Sequence, residues 1–124
     1  MASPNEVFSF ITSNYPSEKI SDSMIKVVVG WNDGRSQLVF AHIQPDAAAM
    51  EVASPFSTRD AMTAEQAINA NESMFGLGVL GEWYALKHVV PIADLDASEM
   101  DVAFKLLAEV ADELEKKLGL GDNL

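Results

Sequence analysis

Histidine and cysteine, the side chains that most often hold zinc or act as nucleophiles, are scarce in this chain of 124 residues. The chain contains no cysteine and two histidines, His42 and His88. A zinc site takes three or four His, Cys or carboxylate ligands, and neither histidine has another His or Cys near it in the sequence. We therefore expect no metal site. A histidine pair could sense pH only if the two strands that carry His42 and His88 are neighbours.

The glycines from Gly76 to Gly81 have the spacing G-x-G-x-x-G, which is that of a dinucleotide-binding loop. Such a loop follows a strand and opens a helix, because the helix N-terminus holds the pyrophosphate. Here the motif is followed by Trp83-Tyr84-Ala85-Leu86, which is typical of a strand. The glycines are therefore predicted to lie in a hairpin, and no cofactor is expected.

Paired carboxylates such as Asp94 with Asp96 and Asp112 with Glu113 are the remaining candidates for chemistry. Acid–base catalysis by two carboxylates needs them to face each other across a cleft, with the pKa of one raised by burial. These pairs fall at a predicted helix start or on a predicted exposed helix face. Ser54, Ser57 and Ser73 lack the sequence of a nucleophile turn. We predict no catalytic residues and a protein that is not an enzyme.

The composition fits one folded domain spanning residues 1–124, because 48% of the residues are hydrophobic. Nineteen acidic against eight basic residues give a net charge of −11. That charge repels phosphate backbones and anionic lipids, so we expect neither nucleic acid nor a membrane as partner. The acidity either keeps the protein soluble or attracts a basic partner. The N-terminal residues lack a basic, hydrophobic signal region, which favours a cytoplasmic location.

The elements that would position these residues follow from periodicity, capping residues and turn residues. Asn32-Asp33-Gly34 and Gln44-Pro45-Asp46 are predicted turns, and Ser54-Pro55 is predicted to end the third strand. In chain order, the prediction is a helix from Pro4 to about residue 15, strands over 24–31, 37–43 and 48–53, a helix over 63–71, strands over 75–79 and 83–90, and a helix to about Leu118.

The last helix is predicted to pack on the sheet through an apolar stripe, with a polar face that includes Asp112 and Glu115. The strands alternate apolar and polar residues poorly; Val27, Val28 and Val29 are consecutive. Both faces of the sheet should therefore be covered. The long helix would cover one face. The other would be covered by the shorter helices or by a second subunit, which favours a homodimer.

This order of elements resembles the type III secretion chaperone-like fold and, within it, the YbjN-type bacterial proteins. The resemblance spans nearly the whole chain. It is carried by Gly34-Arg35-Ser36-Gln37-Leu38-Val39-Phe40 as a strand entry, and by Trp83 to His88 followed by Val90 to Leu95 as the last strand running into the C-terminal helix. The order that the residues predict is α-β-β-β-α-β-β-α, and the resemblance implies a single antiparallel sheet with helices packed against it. Together they predict an α+β fold with the long C-terminal helix packed on the sheet. The resemblance also implies dimerisation and the holding of a partner polypeptide.

The candidate partner-binding residues are aromatic side chains near strand ends and one arginine. Tryptophan and tyrosine are favoured at protein interfaces, although at strand margins they also serve as lids of the core. The set is Trp31, Arg35, Phe40, Trp83 and Tyr84.

Taken together, these features predict a non-enzymatic, chaperone-like protein-interaction module that binds a protein or peptide segment as a homodimer. The alternative is a small-molecule or peptide sensor with a pocket between the sheet and the C-terminal helix. A cavity lined by Phe40, Met50 and Trp83 would favour that alternative.

Overall fold

A computed structural model describes residues 3–31, 34–43, 48–93 and 95–119. Those residues form three helices and one antiparallel sheet of six strands. The elements are α1 (Pro4–Asn14), β1 (Ser17–Lys19), β2 (Met24–Gly30), β3 (Ser36–His42), β4 (Ala49–Thr58), α2 (Ala64–Ala70), β5 (Gly76–Leu80), β6 (Trp83–Pro91) and α3 (Ala97–Leu118).

The strand order across the sheet is β1-β2-β3-β4-β6-β5, with every neighbouring pair antiparallel. The predicted α+β class, the single antiparallel sheet, the order of elements and the long C-terminal helix on the sheet are confirmed. The three-residue strand β1 is added at one edge. The predicted turns at 32–33 and 44–46, and the candidate Asp94, lie outside the described residues.

The helices begin and end at the residues that the sequence indicates. Ser3 and Asp96 cap α1 and α3 by accepting hydrogen bonds from the backbone N–H groups of Glu6 and Glu99. Thr63 and Gln66 form a reciprocal capping box at α2. Gly119, at φ 72°, ends α3 in the left-handed conformation that glycine adopts without steric cost.

Strand β4 continues through Ser54-Pro55 to Thr58, so the prediction that these residues end the strand is wrong. The register of β4 against β6 shifts between Pro55 and Ser57, which is how a strand accommodates a residue without an N–H group. Within the described ranges, direct pairing of β3 with β4 covers only Phe40–His42. Beyond it, Gln37 Nε2 donates to the Pro55 carbonyl at 2.6 Å and replaces a ladder bond.

All three helices lie on one face of the sheet. Helix α3 packs on the central strands, and α1 joins it through an edge-to-face contact of Tyr15 with Phe104, whose ring centroids are 5.4 Å apart. At the other side, Lys117 Nζ of α3 donates to the Ala70 carbonyl at the end of α2. The core between helices and sheet is built around buried residues from every layer, among them Ile11, Val27, Val39, Met50, Phe56, Leu86, Phe104 and Leu107.

Candidate functional site

Two of the predicted partner-binding residues, Trp31 and Arg35, lie at the end of the β2–β3 hairpin. The Trp31 N–H donates to the Arg35 carbonyl at 2.9 Å, and the indole packs partly against the core. The Arg35 guanidinium points at α3, where its Nε and Nη2 donate to Asp112 Oδ1 at 3.1 and 2.5 Å. Arg35 therefore joins the hairpin to α3 within the chain.

This pairing corrects the predicted polar face of α3. Asp112 and Glu115 were expected to be solvent-exposed, but both are buried. Burial alone would raise the pKa of the Asp112 carboxyl, whereas the hydrogen bonds from Arg35 and Lys116 lower it, and the net pKa lies below its usual value. Asp112 is thus held as a carboxylate that anchors the hairpin.

The other three predicted residues are divided between the two faces of the sheet. The strand alternation places Phe40 of β3 and Trp83 of β6 on the face away from the helices. Tyr84 points the opposite way, is 7% exposed, and donates its hydroxyl to the Met62 carbonyl at 3.2 Å. The five residues therefore do not form one surface.

The face without helices, here called the open sheet face, is apolar at its centre. Its larger apolar side chains, Met24, Val28, Leu38 and Phe40, are partly exposed, whereas Ala53 and Ala85 between them are buried. Val89 is 58% exposed. The members of this face are Met24, Lys26, Val28, Leu38, Phe40, His42, Glu51, Ala53, Ala85, Lys87 and Val89.

Charged residues on the open sheet face are arranged as two ion pairs. Lys26 Nζ lies 3.3 Å from Glu18 Oε2 of β1, and Lys87 Nζ lies 3.1 Å from Glu51 Oε1. The Lys87 side chain lies directly over Gly78. A Cβ atom at position 78 would lie only 2.7 Å from Lys87 Cδ, so the glycine makes room for the lysine. Each pair is neutral, so this face does not share the strong negative charge of the chain as a whole.

A second apolar surface, here called the β5 groove, lies between α3, the end of β6 and residues 74–75, which directly precede β5. It has a volume of about 400 Å³ and is open to solvent. Met74 beside it is 89% exposed and Val102 is 61% exposed. The groove is lined by Met74, Phe75, His88, Val90, Ser98, Glu99, Val102, Ala103 and Leu106.

The residues of the β5 groove are absent from the predicted partner-binding set, although a signal for them exists. Val102, Leu106 and Val110 recur at every fourth position of α3 and form a second apolar row beside the main stripe. The main stripe covers the sheet, so the extra row faces elsewhere. A helix with more apolar surface than its sheet can cover is a pointer to a second contact surface.

A polar cluster occupies the junction of α1 and α3. The Tyr15 hydroxyl donates to Asp101 Oδ1, and Lys105 Nζ lies 3.0 Å from Asp101 Oδ2. Burial raises the pKa of the Tyr15 phenol, and the neighbouring carboxylate raises it further. The hydrogen bonds from Tyr15 and Lys105 lower the pKa of Asp101. These groups satisfy one another and join α1 to α3.

The motifs weighed for chemistry are dispersed by the fold. His42 lies on the open sheet face and His88 on the helix-covered face, with β4 between their strands, so the two do not form a pair. Over the described residues, no group of three His, Cys or carboxylate side chains could hold a metal ion. The G-x-G-x-x-G glycines lie in β5 and the turn to β6, as predicted, and do not open a helix.

Phe40, Met50 and Trp83 do not line a common pocket, although the sensor alternative would be favoured by such a pocket. Met50 is fully buried beneath the helices, whereas Phe40 and Trp83 lie on the open sheet face. The β5 groove does lie between the sheet and α3, with His88 and Phe75 in edge-to-face contact at its wall. A further hollow of about 570 Å³ lies between the end of β2, Tyr15 and the first half of α3.

Of the helices in the described ranges, none combines the length and apolar character that crossing a bilayer requires. No protein-family model, curated protein or solved structure matches the chain.

Proposed function

We propose that this chain is a non-enzymatic, chaperone-like protein-interaction module that binds a protein or peptide segment and acts as a cytoplasmic homodimer. The observation that carries the proposal is the one-sided placement of the helices. Because α1, α2 and α3 share one face, the apolar centre of the other face is left without cover from the described part of the chain.

The second copy is proposed to sit on the open sheet face. The sequence predicts that this face is covered either by the shorter helices or by a second subunit. Helices α1 and α2 lie on the opposite face, so the second subunit is the alternative that remains. Two copies that each carry a net charge of −11 repel each other over most of their surface. The open sheet face is the exception, because its lysines are matched one to one by Glu18 and Glu51. Its partly exposed Phe40, Leu38 and Val28 supply the apolar centre that a stable interface needs.

Polypeptide binding is supported by exposed apolar side chains that the dimer leaves free. Met74, Val102 and Leu106 surround the β5 groove on the helix-covered side, away from the open sheet face. Exposed apolar residues grouped around a groove and a strand edge are the surface that extended segments of other proteins bind.

The alternative, a sensor of small molecules, would use the same groove. Its volume of about 400 Å³ is within the range of ligand sites. A thermal-shift screen of small ligands tests it, since a ligand bound in the groove would raise the melting temperature of the protein.

The dimer is tested by size-exclusion chromatography with light scattering over a dilution series. We expect a mass of twice 13.4 kDa that persists on dilution. Val89→Asp places a charge on the open sheet face and should yield the monomer. Val102→Asp is the matched control, because Val102 is exposed to the same degree, 61% against 58%, but lies on α3. A wild-type monomer at all concentrations, or a dimer that survives Val89→Asp, contradicts this part of the proposal.

Polypeptide binding is tested by the aggregation of an unfolding client enzyme, followed by light scattering. We expect the protein at an equimolar ratio to suppress the aggregation of the client. Val102→Asp should weaken the suppression, since a charge in the β5 groove opposes apolar contact. Aggregation that proceeds unchanged in the presence of the wild-type protein removes the polypeptide-binding function.

A further inference from the structure

The two edges of the sheet differ in a way that points to one of them as a binding edge. Strand β1 has three residues, and its Glu18 and Lys19 are exposed. Short, charged edges are how proteins discourage the addition of further strands. Strand β5 has five residues, Gly-Leu-Gly-Val-Leu, with neither a charge nor a proline. In the described ranges β5 pairs with β6 on one side, and no strand lies on its other side.

The β5 groove begins where this edge begins. Met74 and Phe75 directly precede β5 and line the groove, and Val79 within the strand is 46% exposed. A strand added outside β5 would use the outward-facing backbone groups of Gly76–Leu80 for hydrogen bonds. Alternate side chains of that strand would point toward the helix-covered side, where Met74, Val102 and Leu106 present apolar surface.

Most of the charged groups around this edge are carboxylates. The cations beside it are Lys87, which lies over Gly78 and pairs with Glu51, and Arg59, whose N–H donates to the Glu82 carbonyl. Exposed carboxylates stand at both ends of β5 and along the neighbouring side of α3. Lys117 lines the adjoining hollow near the C-terminus of α3. Its Nζ lies 3.4 Å from Glu72 Oε1, so its charge is matched by that carboxylate. The carboxylates are Glu72, Glu82, Glu99, Glu109 and Glu113.

A second copy of the chain fits this edge poorly. Antiparallel pairing of two β5 strands would bring Glu72 of one copy toward Glu82 of the other. Like charges placed opposite each other destabilise a strand pair. An extended partner with apolar residues in alternation and basic residues at its ends meets both the apolar groove and the acidic rim.

We propose that β5 accepts an extended peptide with an apolar centre and basic flanks as an additional strand of the sheet. The proposal rests on the proposed polypeptide-binding function and gives it a place, a binding mode and a partner chemistry. It is independent of the dimer, which uses the opposite face of the sheet.

The probe for the test is a fluorescein-labelled peptide of roughly nine residues, the length of a long strand, that alternates Val and Thr and ends in lysines. Its matched controls are the same peptide ending in glutamates and a lysine-ended version with N-methylated central amides. Fluorescence anisotropy measures binding to the full chain. We expect the glutamate-ended peptide to bind at least about tenfold more weakly, because the acidic rim repels it. Raising the salt concentration from about 50 to about 500 mM should weaken binding of the lysine-ended peptide.

Variants locate the binding. Val102→Lys should weaken binding of the lysine-ended peptide by about tenfold or more, by placing a charge in the groove. Ile20→Lys, at an exposed residue beside β1, should change it by no more than about twofold. Amide hydrogen exchange should show new protection at Gly76–Leu80 when the peptide is bound. The N-methylated peptide should give neither binding nor protection.

Equal binding of the lysine- and glutamate-ended peptides, binding of neither, or protection outside β5 overturns this proposal. So does a dimer that dissociates in Val102→Lys, because the second copy would then occupy the groove. If suppression of client aggregation persists while these peptide results fail, the proposed function stands and only the edge-strand site is wrong. If both fail, the polypeptide-binding function fails with it.

Discussion

Arg35 and Asp112, 77 residues apart in the chain, form a two-pronged ion pair between the start of β3 and the C-terminal half of α3. The Asp112 side chain is 7% exposed and Arg35 shields it from solvent. Lys116, one turn further along α3, also contacts Asp112 at 3.3 Å. The end of the β2–β3 hairpin is thereby fixed to the helix that covers the sheet.

Replacing Arg35 should destabilise the fold far more than replacing Lys116. Arg35→Met leaves a buried carboxylate without its main partner, and we expect a loss of about 3 kcal/mol in the free energy of unfolding. Lys116 is half exposed, so Lys116→Met should cost less than about 1 kcal/mol. Urea denaturation followed by circular dichroism measures both. Equal losses in the two variants would contradict the anchoring role of Arg35.

Asp112 should also make the protein sensitive to acid. Its folded pKa is lowered, so the stability it contributes is complete above the unfolded-state pKa of about 3.9 and is lost as the pH falls through the folded pKa. Melting temperatures should therefore fall from about pH 4 downward, and Asp112→Asn should lack this part of the decline. Asp60→Asn, at an exposed carboxylate, is the control, and its pH profile should follow that of the wild type.

Gln37 lies where the backbone pairing between β3 and β4 stops, and its side chain can be used to test what holds the two strands together there. The side chain is fully buried and its Nε2 donates to the Pro55 carbonyl. Gln37→Glu keeps the shape but places a carboxylate against a carbonyl oxygen, which should cost about 3 kcal/mol or more at neutral pH. The loss should shrink as the pH falls and the acid regains a proton to donate. Asn69→Asp, at an exposed position, should stay within about 0.5 kcal/mol of the wild type. A tolerated Gln37→Glu would mean that β4 does not depend on this hydrogen bond.

The Tyr15 hydroxyl should stabilise the protein at neutral pH and fail to do so in alkali. The raised folded pKa means that its stabilisation is present below the unfolded-state pKa of about 10 and is lost as the pH rises through the folded pKa. Tyr15→Phe keeps the ring against Phe104 and should lose about 1 kcal/mol at neutral pH. Chemical denaturation over a pH series checks this. The gap between wild type and variant should narrow in strong alkali, and a constant gap would count against the Tyr15–Asp101 bond.

The elements that could be predicted are those whose signals are local. The apolar stripe of α3, its cap Asp96 and its stop Gly119 each depend on residues a few positions apart. The same holds for the capping box of α2. Strand β1 carries no such signal, because its three residues Ser17–Lys19 join the sheet through pairing with β2, which no local sequence pattern marks.

The features that could not be predicted depend on distant residues. From the sequence, Asp112 is predicted to lie on an exposed face of α3. The structure shows that it is buried against Arg35, which belongs to another element. From the sequence, Pro55 is predicted to end a strand. In the structure the strand continues, and the Gln37 side chain donates to the Pro55 carbonyl in place of a backbone hydrogen bond between β3 and β4. The partner-binding set was chosen by residue type, and type does not reveal the face of the sheet, so Tyr84 lies in the core while Phe40 does not.

The unequal edges of the sheet also bear on filament formation. Growth of a cross-β stack needs each copy to offer one edge that gives a strand and another that takes it. Here β5 can take a strand, but β1 at the far edge is too short and too charged to give one to the next copy. A strand bound at β5 therefore becomes the last strand of the sheet. The protein can keep β5 exposed for binding without its copies stacking edge to edge into fibres.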